Sequence, residues 1–525
     1  MHEHVPLIDA AEVRALLLAR SEVALLDVRE EDPFAQEHPL WAANLPLSRL
    51  EPDAWRRIPR RDVPVVVYGV HAGHDLAPVA ARRLRDLGYV DVRELDGGLA
   101  GWVAGGGEVF RDVNVPSKAF GELVESVRDT PSLSAREVQE RLAASSPVVI
   151  DVRRPDEYRA MSIPTAVSLP GGEAVLRIRE LAPDPTTPII VNCAGRTRSI
   201  IGTQSLINAG VPNPVVALRN GTIGWTLAGQ ELEHGAVLTG SPVVAPEHLR
   251  AARSGARDVA DRAGVRRIGP DAVASLVDPT RTTYFLDVRT EEEYVRGHLP
   301  GFRHVPGGQL VQETDHVAPV RGARLVLADD DGVRASMTGS WLAQMGWETY
   351  VVDPGGDLTE HGHPAPHRPR PPSVDEVTPD VLAGWIDHGD AVVVDVGPGR
   401  GFARGHVPGA WFAIRAQLEP ALAGLPAGRL VLTSPDDELA RWAASDVQAA
   451  GRDVVVLAGG TDAWSSAGHD LDTGLDRLLT PVTDRYRRPY EGVDNHHDAM
   501  QAYLDWELGL IAQLDRDATH FFHVV

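Results

Sequence analysis

The stretch VIDVR at residues 149–153 recurs along the chain, and its copies decide the fold. The other copies read LLDVR at 25–29, FLDVR at 285–289 and, in a shorter form, VVDV at 393–396. They follow one another at intervals of about 100–140 residues, which is the length of a globular domain and much longer than a solenoid repeat. The sequence therefore predicts four tandem domains.

Each copy continues in the same order, with an acidic-aromatic stretch, a proline turn, a short apolar run and a helix-like stretch. The apolar runs are VVVYG at 65–69, IIVNC at 189–193, LVLAD at 325–329 and LVLTS at 430–434. Short strands that alternate with helices are typical of α/β domains. We expect each domain to be a parallel sheet flanked by helices.

Proline-rich and polar gaps predict the domain boundaries. The expected domains are 5–112, 132–238, 266–363 and 376–475, and a tail follows at 476–525. In the tail, apolar residues recur at helical spacing: Met500, Tyr503, Leu504, Leu508, Ile511 and Leu514. We interpret the tail as a helical segment packed on the domains, with an interaction helix for a partner as the alternative.

Charge and composition exclude several classes of protein. The net charge of -23 argues against nucleic acid as a partner, because phosphate binding needs a basic surface. There is no apolar run of about 18 residues and no signal-peptide pattern, so we expect a cytoplasmic protein with no membrane partner. Lys118 is the only lysine, an arginine bias typical of bacterial, GC-rich coding. We expect no metal and no cofactor.

Each of the four apolar runs ends in a residue at the carboxyl end of a predicted strand. Ligands of parallel sheets bind at these strand ends, so the last residue of each run decides which chemistry is possible. The four equivalent positions hold Gly69, Cys193, Asp329 and Ser434. Cys193 is the only cysteine of the chain, so only the second domain can form a thiolate. The sequence predicts one nucleophile and three domains without one.

The loop after Cys193 reads CAGRTRS and leads into a predicted helix. A helix N-terminus stabilises an anion, and Arg196 and Arg198 add positive charge nearby. Gly195 allows the loop amides to form a concave anion site. Such surroundings predict a thiol pKa lowered from about 8.5 into the range of about 3.5–7.5.

Together, the DVR stretch, the His-Leu-Pro-Gly turn at 298–301 and the C-x-G-R-T-R-S loop resemble the rhodaneses, in particular the long bacterial sulfurtransferases with four tandem rhodanese-like domains. The second domain departs from the family pattern, because Met161–Thr165 stands where Gly-His-Ile-Pro-Gly is usual. The resemblance implies that Cys193 is the catalytic nucleophile. It also implies a set of substrate-binding residues: Ala194, Gly195, Arg196, Thr197, Arg198 and Ser199.

The implied reaction moves a sulfane sulfur through a Cys193 persulfide. The donor is a small anion such as thiosulfate, or a thiol persulfide, and the acceptor is cyanide or a thiol. We expect Asp151 and Arg153 to support the loop, with a fold-building salt bridge as the alternative. Gly171, Gly172 and Arg177 are candidates for the pocket mouth.

Two other functions stay open at this point. A non-enzymatic binding scaffold is one, because three of the four loops lack the nucleophile. A phosphatase or arsenate reductase on the same fold is the other, although its loop has one more residue between cysteine and arginine. The sequence also leaves open whether the chain forms a homo-oligomer.

Overall fold

The computed structural model describes residues 5–71, 73–238, 243–365, 367–492 and 495–525. It contains four α/β units, each built on five parallel strands flanked by helices, and C-terminal helices follow them. The predicted fold class is therefore confirmed. In the described part of the chain, no helix is long and apolar enough to cross a membrane.

The first unit carries one extra two-stranded ribbon, β5–β6, beside its main sheet. Its elements are β1 (Leu7–Ile8), α1 (Ala10–Leu18), β2 (Val23–Asp27), α2 (Glu31–Gln36), β3 (Ala43–Asn44), a 3₁₀ turn (Leu47–Arg49), α3 (Leu50–Arg57), β4 (Val65–Tyr68), β5 (Val70–His71), β6 (His74–Asp75), α4 (Ala77–Asp86), β7 (Val92–Leu95) and α5 (Gly98–Ala104). A connecting helix, α6 (Val115–Arg128), leads to the second unit.

The second unit repeats this order without the ribbon. Its elements are β8 (Ser132–Leu133), α7 (Ala135–Ala144), β9 (Val148–Asp151), α8 (Pro155–Ala160), β10 (Val167–Ser168), a 3₁₀ turn (Gly171–Glu173), α9 (Ala174–Leu181), β11 (Ile189–Asn192), α10 (Thr197–Asn208), β12 (Val215–Leu218) and α11 (Gly221–Leu227). A second connecting helix, α12 (Pro246–Arg262), leads to the third unit.

The third and fourth units close the series. The third has β13 (Arg266–Ile268), a 3₁₀ turn (Pro270–Leu276), β14 (Thr283–Asp287), α13 (Glu291–Arg296), β15 (Arg303–His304), α14 (Gly307–Gln312), α15 (Thr314–Val317), β16 (Val320–Arg321), β17 (Arg324–Ala328), α16 (Arg334–Gln344) and β18 (Glu348–Val352). The fourth has β19 (Glu376–Val377), α17 (Pro379–His388), β20 (Ala391–Asp395), α18 (Gly399–Arg404), β21 (Trp411–Phe412), a 3₁₀ turn (Arg415–Gln417), α19 (Leu418–Ala421), a 3₁₀ turn (Leu422–Gly424), β22 (Arg429–Thr433), α20 (Glu438–Ala449), β23 (Val455–Leu457) and α21 (Gly460–Ser466). The tail forms α22 (His497–Leu508) and α23 (Leu510–Asp517).

All four sheets place the same strand in the middle. The second sheet has the order β10-β9-β11-β12-β8, and β4, β17 and β22 occupy the position of β11 in the other sheets. These middle strands are almost entirely buried. Helices on both faces of the sheet explain why they read as continuous apolar runs. The middle strand also carries the residue at which the four loops differ.

The proline turn of the second unit has the same geometry as the turns of the later units, despite its unusual sequence. Thr165 has a left-handed φ of 67°, where Gly301 and Gly409 have 76° and 73° in the later units. Ser162 pairs with Glu233 as His298 pairs with Glu360. The departure at 161–165 therefore leaves the turn in place.

The units contact one another through strands, ion pairs and backbone. Strand β16 of the third unit adds antiparallel to β2 of the first. The Arg415 guanidinium of the fourth unit donates to both carboxylate oxygens of Glu51 at 2.6 and 2.9 Å. At the second–third contact, a Cβ on Gly172 would stand 2.9 Å from the Gly308 nitrogen, so the two backbones touch.

The tail is packed on the units, and its helix is interrupted at Gly509. Helix α22 packs against α6 and α11, and α23 packs against α6. Met500, Tyr503 and Leu504 are buried, whereas Leu508, expected on the same apolar face, is 59% exposed at the end of α22. Because the helix is interrupted after Leu508, this side chain does not lie on the buried face with the others.

Candidate active site

The start of α11 holds the Cys193 loop in place through hydrogen bonds to the loop backbone. The Thr222 amide donates to the Cys193 carbonyl at 2.9 Å, and its hydroxyl donates to the Ala194 carbonyl at 3.1 Å. Gly221 has a φ of 55°, and a Cβ there would lie 2.3 Å from the Cys193 carbonyl oxygen. The Asn-Gly turn at 220–221 is thus what lets the helix approach the loop.

The thiol of Cys193 is buried, with 1% of the residue exposed. It donates a hydrogen bond to the Ser199 hydroxyl over 3.4 Å, and that hydroxyl donates to the Arg196 carbonyl at 2.9 Å. Burial raises the pKa of the thiol, while the Arg198 charge and the hydrogen bonds to Ser199 oppose the rise. The expected lowering of the thiol pKa is therefore wrong for this closed arrangement, because loss of solvent outweighs the positive charge.

Arg198 is the cation that acts on the thiol. Its guanidinium is held by Glu157 of α8 through two hydrogen bonds of 2.7 and 2.9 Å. The Arg198 charge is the main influence that opposes burial and lowers the pKa of Glu157 to about 2. Glu157 therefore stays ionised and fixes the arginine at the start of α10.

Arg196 has a different environment from the one expected. Its guanidinium donates to both carboxylate oxygens of Glu122 at 2.7 and 2.8 Å, and it also pairs with Glu125. A third contact, of 3.2 Å, goes to the side-chain oxygen of Asn220. Two carboxylates of α6 thus neutralise the charge that we expected to act on the thiol, and Arg196 ties α6 to the loop.

Asp151 and Arg153 form a fully buried pair beside the loop. The Arg153 Nε and Nη2 atoms donate to the Asp151 carboxylate at 2.9 and 2.7 Å. The amide of Asn192, the residue before Cys193, also donates to Asp151 at 2.9 Å. The pairs Asp27–Arg29 and Asp287–Arg289 repeat the arrangement where no cysteine exists. The pair therefore stabilises the end of the strand, and its contact with the loop is the hydrogen bond from Asn192.

Helix α6 and the tail lie over the Cys193 loop, and we call these two segments the cover. The sequence motifs did not reveal this contact. Helix α6 and the tail border a small cavity of about 20 Å³ in front of the thiol. Its wall combines the loop residues 193–198 with Ser117, Lys118, Gln312, Tyr490, Tyr503 and Glu507. Two weak signals pointed to it: Lys118 is the only lysine, and Tyr503 lies on the apolar face of the tail helix.

Lys118 sits inside this cover. Its ammonium group pairs with Asp112 at 2.7 Å, and it lies 5.2 Å from the ring centre of Tyr503 and 5.4 Å from that of Trp506. Aromatic faces attract a cation at such distances. The lysine thereby fastens the tail to α6 next to Cys193.

A second cavity, of about 980 Å³, lies between the second and third units. It shares Ser117, Thr197, Arg198 and Gln312 with the small cavity, so the two are neighbours. The pocket-mouth candidates Gly171, Gly172 and Arg177 line this larger cavity. Its volume suits a small molecule, and the Ser117 hydroxyl, which donates to the Gln312 carbonyl at 2.8 Å, closes the shared wall.

The other three loops lack the nucleophile at the same structural position. Gly69, Asp329 and Ser434 each follow the middle strand, as Cys193 does. The Ala335 amide donates to the Asp329 carboxylate, and the Ala440 amide donates to the Ser434 hydroxyl, at 2.8 and 3.1 Å. In both loops the donor lies six residues further along the chain, where Ser199 lies in the second unit. The sequence alignment of these positions is confirmed.

Comparisons with known proteins agree with this description. A family model described as a rhodanese-like domain matches residues 9–105, 134–228, 270–357 and 378–467. The crystal structure of thiosulfate sulfurtransferase from Pseudomonas aeruginosa is 58% identical to this chain, covers 99% of it and 100% of its own length, and has a TM-score of 0.97.

Shorter structures match single units. The Alr3790 protein from Anabaena sp. is 28% identical over 20% of this chain and 93% of its own, with a TM-score of 0.19. A rhodanese-like domain protein from Staphylococcus aureus is 21% identical over 19% of this chain and 97% of its own, with a TM-score of 0.17. The search of curated proteins found no match.

Proposed function

This chain belongs to the rhodanese-like domain family and is a rhodanese-type sulfurtransferase, and we propose that it carries the transferred sulfur as a persulfide on Cys193. The observation that carries the proposal is the position of this thiol. Cys193 follows the middle strand of the second sheet, directly before the N-terminus of α10, and it is the one cysteine of the chain.

The reaction has two displacements. The Cys193 thiolate attacks the outer sulfur of thiosulfate, a sulfur–sulfur bond forms, and sulfite leaves with the electrons of the broken bond. Cyanide or a thiolate then attacks the outer sulfur of the persulfide, and the Cys193 thiolate leaves. A thiol persulfide can replace thiosulfate as donor in the same first step.

The loop supplies stabilisation of negative charge in both steps. The first amides of α10 have no partner within the helix, so they are available to an anion at the end of the loop. Arg198 adds a full charge that Glu157 holds in place. We propose Ala194, Gly195, Thr197 and Ser199 as the remaining wall of the donor site, with Arg196 as its link to α6.

We propose that the cover moves when a donor binds, because Cys193 is 1% exposed and the pocket in front of its thiol is small, about 20 Å³. The neighbouring cavity of about 980 Å³ offers a route, because Ser117, Thr197, Arg198 and Gln312 line both cavities.

A mass measurement tests the proposal directly. After exposure to thiosulfate and removal of the donor, the intact protein is expected to be heavier by about 32 Da, one sulfur atom, with the added mass on the peptide that contains Cys193. Cyanide should remove this mass and release thiocyanate. A protein that binds thiosulfate without gaining sulfur would instead be a scaffold, and hydrolysis of an aryl phosphate would indicate a phosphatase.

Arg198→Ala is expected to lower turnover with thiosulfate by roughly 10–1000-fold, the scale of losing one group that stabilises a developing anion. The change also removes the Arg198 charge that opposes the effect of burial, so the pKa of Cys193 should rise further. Rates of sulfite release and of thiol alkylation against pH measure both effects.

Arg136→Ala is the matched control, because this arginine lies on the surface of the same unit and its side chain is 84% exposed. Its turnover should equal that of the unmodified protein. Arg198→Lys should keep part of the effect on the thiol pKa, since it retains the charge and loses the two-pronged contact. Unchanged rate and unchanged alkylation in Arg198→Ala would rule out this role.

A further inference from the structure

Glu507, in the last turn of α22, places a carboxylate at the cavity in front of Cys193. The residue is 1% exposed and lines the same cavity of about 20 Å³ as the thiol. One oxygen, Oε1, accepts hydrogen bonds from the Tyr503 hydroxyl at 2.8 Å and from the Thr197 hydroxyl at 3.4 Å. The other, Oε2, is buried and has no hydrogen-bond partner among the described residues.

Gly195 allows this close approach between the tail and the loop. A Cβ at Gly195 would lie 3.4 Å from Glu507 Oε2 and 3.2 Å from Tyr503 Cε1. A Cβ there would already touch the carboxylate and be tight against the Tyr503 ring, so a side chain longer than alanine would not fit without a shift of the tail. The free oxygen of Glu507 is thus held against the backbone two residues beyond Cys193.

A buried carboxylate oxygen without a hydrogen-bond donor costs free energy of folding. Where a protein keeps such a group, a catalytic role is one explanation. The charged and titratable groups around Glu507 are Lys118 and Glu122 of α6, Arg196 and Cys193 of the loop, and Tyr503 of its own helix. Burial is the largest influence, and the pKa of Glu507 is raised to about 7. Its protonation therefore changes near neutral pH, where a proton acceptor works best.

We propose that Glu507 is the general base that takes the proton of the Cys193 thiol and keeps it in the cavity during sulfur transfer. The inference rests on the proposed persulfide function and adds a catalytic residue to it from the far end of the chain. Because both groups line the same small cavity, the proton passes directly or through water.

The proton balance closes over one cycle. The Cys193 thiol gives its proton to the Glu507 carboxylate, and the thiolate then attacks the donor and releases sulfite. Glu507 stays neutral while the anionic persulfide exists, which removes repulsion between two negative groups. When the acceptor anion has taken the outer sulfur, the Cys193 thiolate recovers its proton from Glu507.

Glu507→Gln separates this role from a purely electrostatic one, because the two predict opposite signs. The Glu507 charge contributes to the raised pKa of Cys193, so removing a mere repulsive charge should increase the thiolate fraction and speed the reaction. Loss of a base should instead slow sulfite release in a single turnover by about 100-fold at neutral pH. We expect the second result.

The pH profile gives a further readout. In the unmodified protein, the rate of sulfite release should rise as pH increases through about 7, because Glu507 accepts a proton only as the carboxylate. In Glu507→Gln the rise should move to the alkaline range in which the thiol itself ionises, and the rate should there approach that of the unmodified protein. Recovery at alkaline pH also shows that the variant is folded.

Glu108→Gln is the matched control, because it weakens another contact of the tail and so tests whether a loosened tail alone lowers the rate. Glu108 lies outside the cavity and accepts hydrogen bonds from Arg516 of α23 at 3.0 and 2.7 Å. This variant should keep the unmodified rate and pH profile. If the rate in Glu507→Gln is faster, unchanged, or lowered equally at every pH, the proposal that Glu507 is the general base is wrong. Failure of the unmodified protein to gain sulfur would count against the persulfide function instead.

Discussion

Replacing Cys193 with serine is expected to abolish sulfur transfer, with a loss of more than about 1000-fold, the scale of removing a covalent nucleophile. A serine hydroxyl is a poor nucleophile toward sulfur and is not ionised at neutral pH. No other residue can take over, because the chain contains one cysteine. The measurements are thiocyanate formation from thiosulfate and cyanide, and the mass of the intact protein after donor exposure.

The same substitution should leave the fold unchanged. Serine is close to cysteine in size and can keep the hydrogen bond to the Ser199 hydroxyl. The Cys193 carbonyl, which accepts from the Thr222 amide, is not altered. An unchanged melting temperature would therefore assign the loss to chemistry. Residual transfer above a few per cent of the original rate would contradict a single-site mechanism.

The parts of the fold that the sequence predicted correctly are those set by local pattern. The apolar runs that end at Gly69, Cys193, Asp329 and Ser434 are the middle strands of four sheets. Their burial on both faces makes the pattern strong. The position of Cys193 between β11 and α10 followed from the same reasoning.

What the sequence could not predict depends on contacts between distant segments. Nothing in the loop CAGRTRS indicates that α6 and the tail close over it, or that Glu122 and Glu125 bind Arg196. The connecting helices α6 and α12 lie in segments that contained only boundary signals. The direction of the thiol pKa shift depends on this burial, which is why charge near the cysteine alone gave the wrong sign.

The connecting helices lie in corresponding places over two of the four loops. Helix α6 packs on α10 above the Cys193 loop, and α12 packs on α16 above the Asp329 loop. In the third unit, Arg253 of α12 donates to the Asp331 carbonyl at 2.7 Å. Only in the second unit does the tail add Glu507 to such a cover. The two loops thus share their frame and differ in the groups placed on it.

The third unit is expected to regain sulfur transfer only after its own carboxylates are removed. Asp329 occupies the position of Cys193, and its carboxylate accepts from the Gly332 and Ala335 amides at 2.8 Å each. A side chain of the loop itself therefore already occupies these amides. Asp331 accepts from the Val333 and Arg334 amides at 2.6 and 3.1 Å, so the start of α16 is also occupied.

In a Cys193→Ala background, Asp329→Cys alone should give a thiol with a raised pKa and little transfer, because Asp330 and Asp331 repel both the thiolate and an anionic donor. Adding Asp330→Ala and Asp331→Gly should restore measurable transfer, since it frees the amides and two contacts of Arg334. The readout is a sulfur adduct on the new cysteine and thiocyanate formation above the Cys193→Ala level.

The pH dependence of the triple variant links this result to Glu507. Helix α22, which carries Glu507, packs on α6 and α11, so we expect the revived thiol to have no equivalent of Glu507 and to lose its proton to solution base. Its turnover should therefore rise only in the alkaline range, as in Glu507→Gln. Full activity from Asp329→Cys alone would refute the electrostatic explanation. A neutral-pH optimum in the triple variant would show that the loop can ionise its cysteine without a dedicated base.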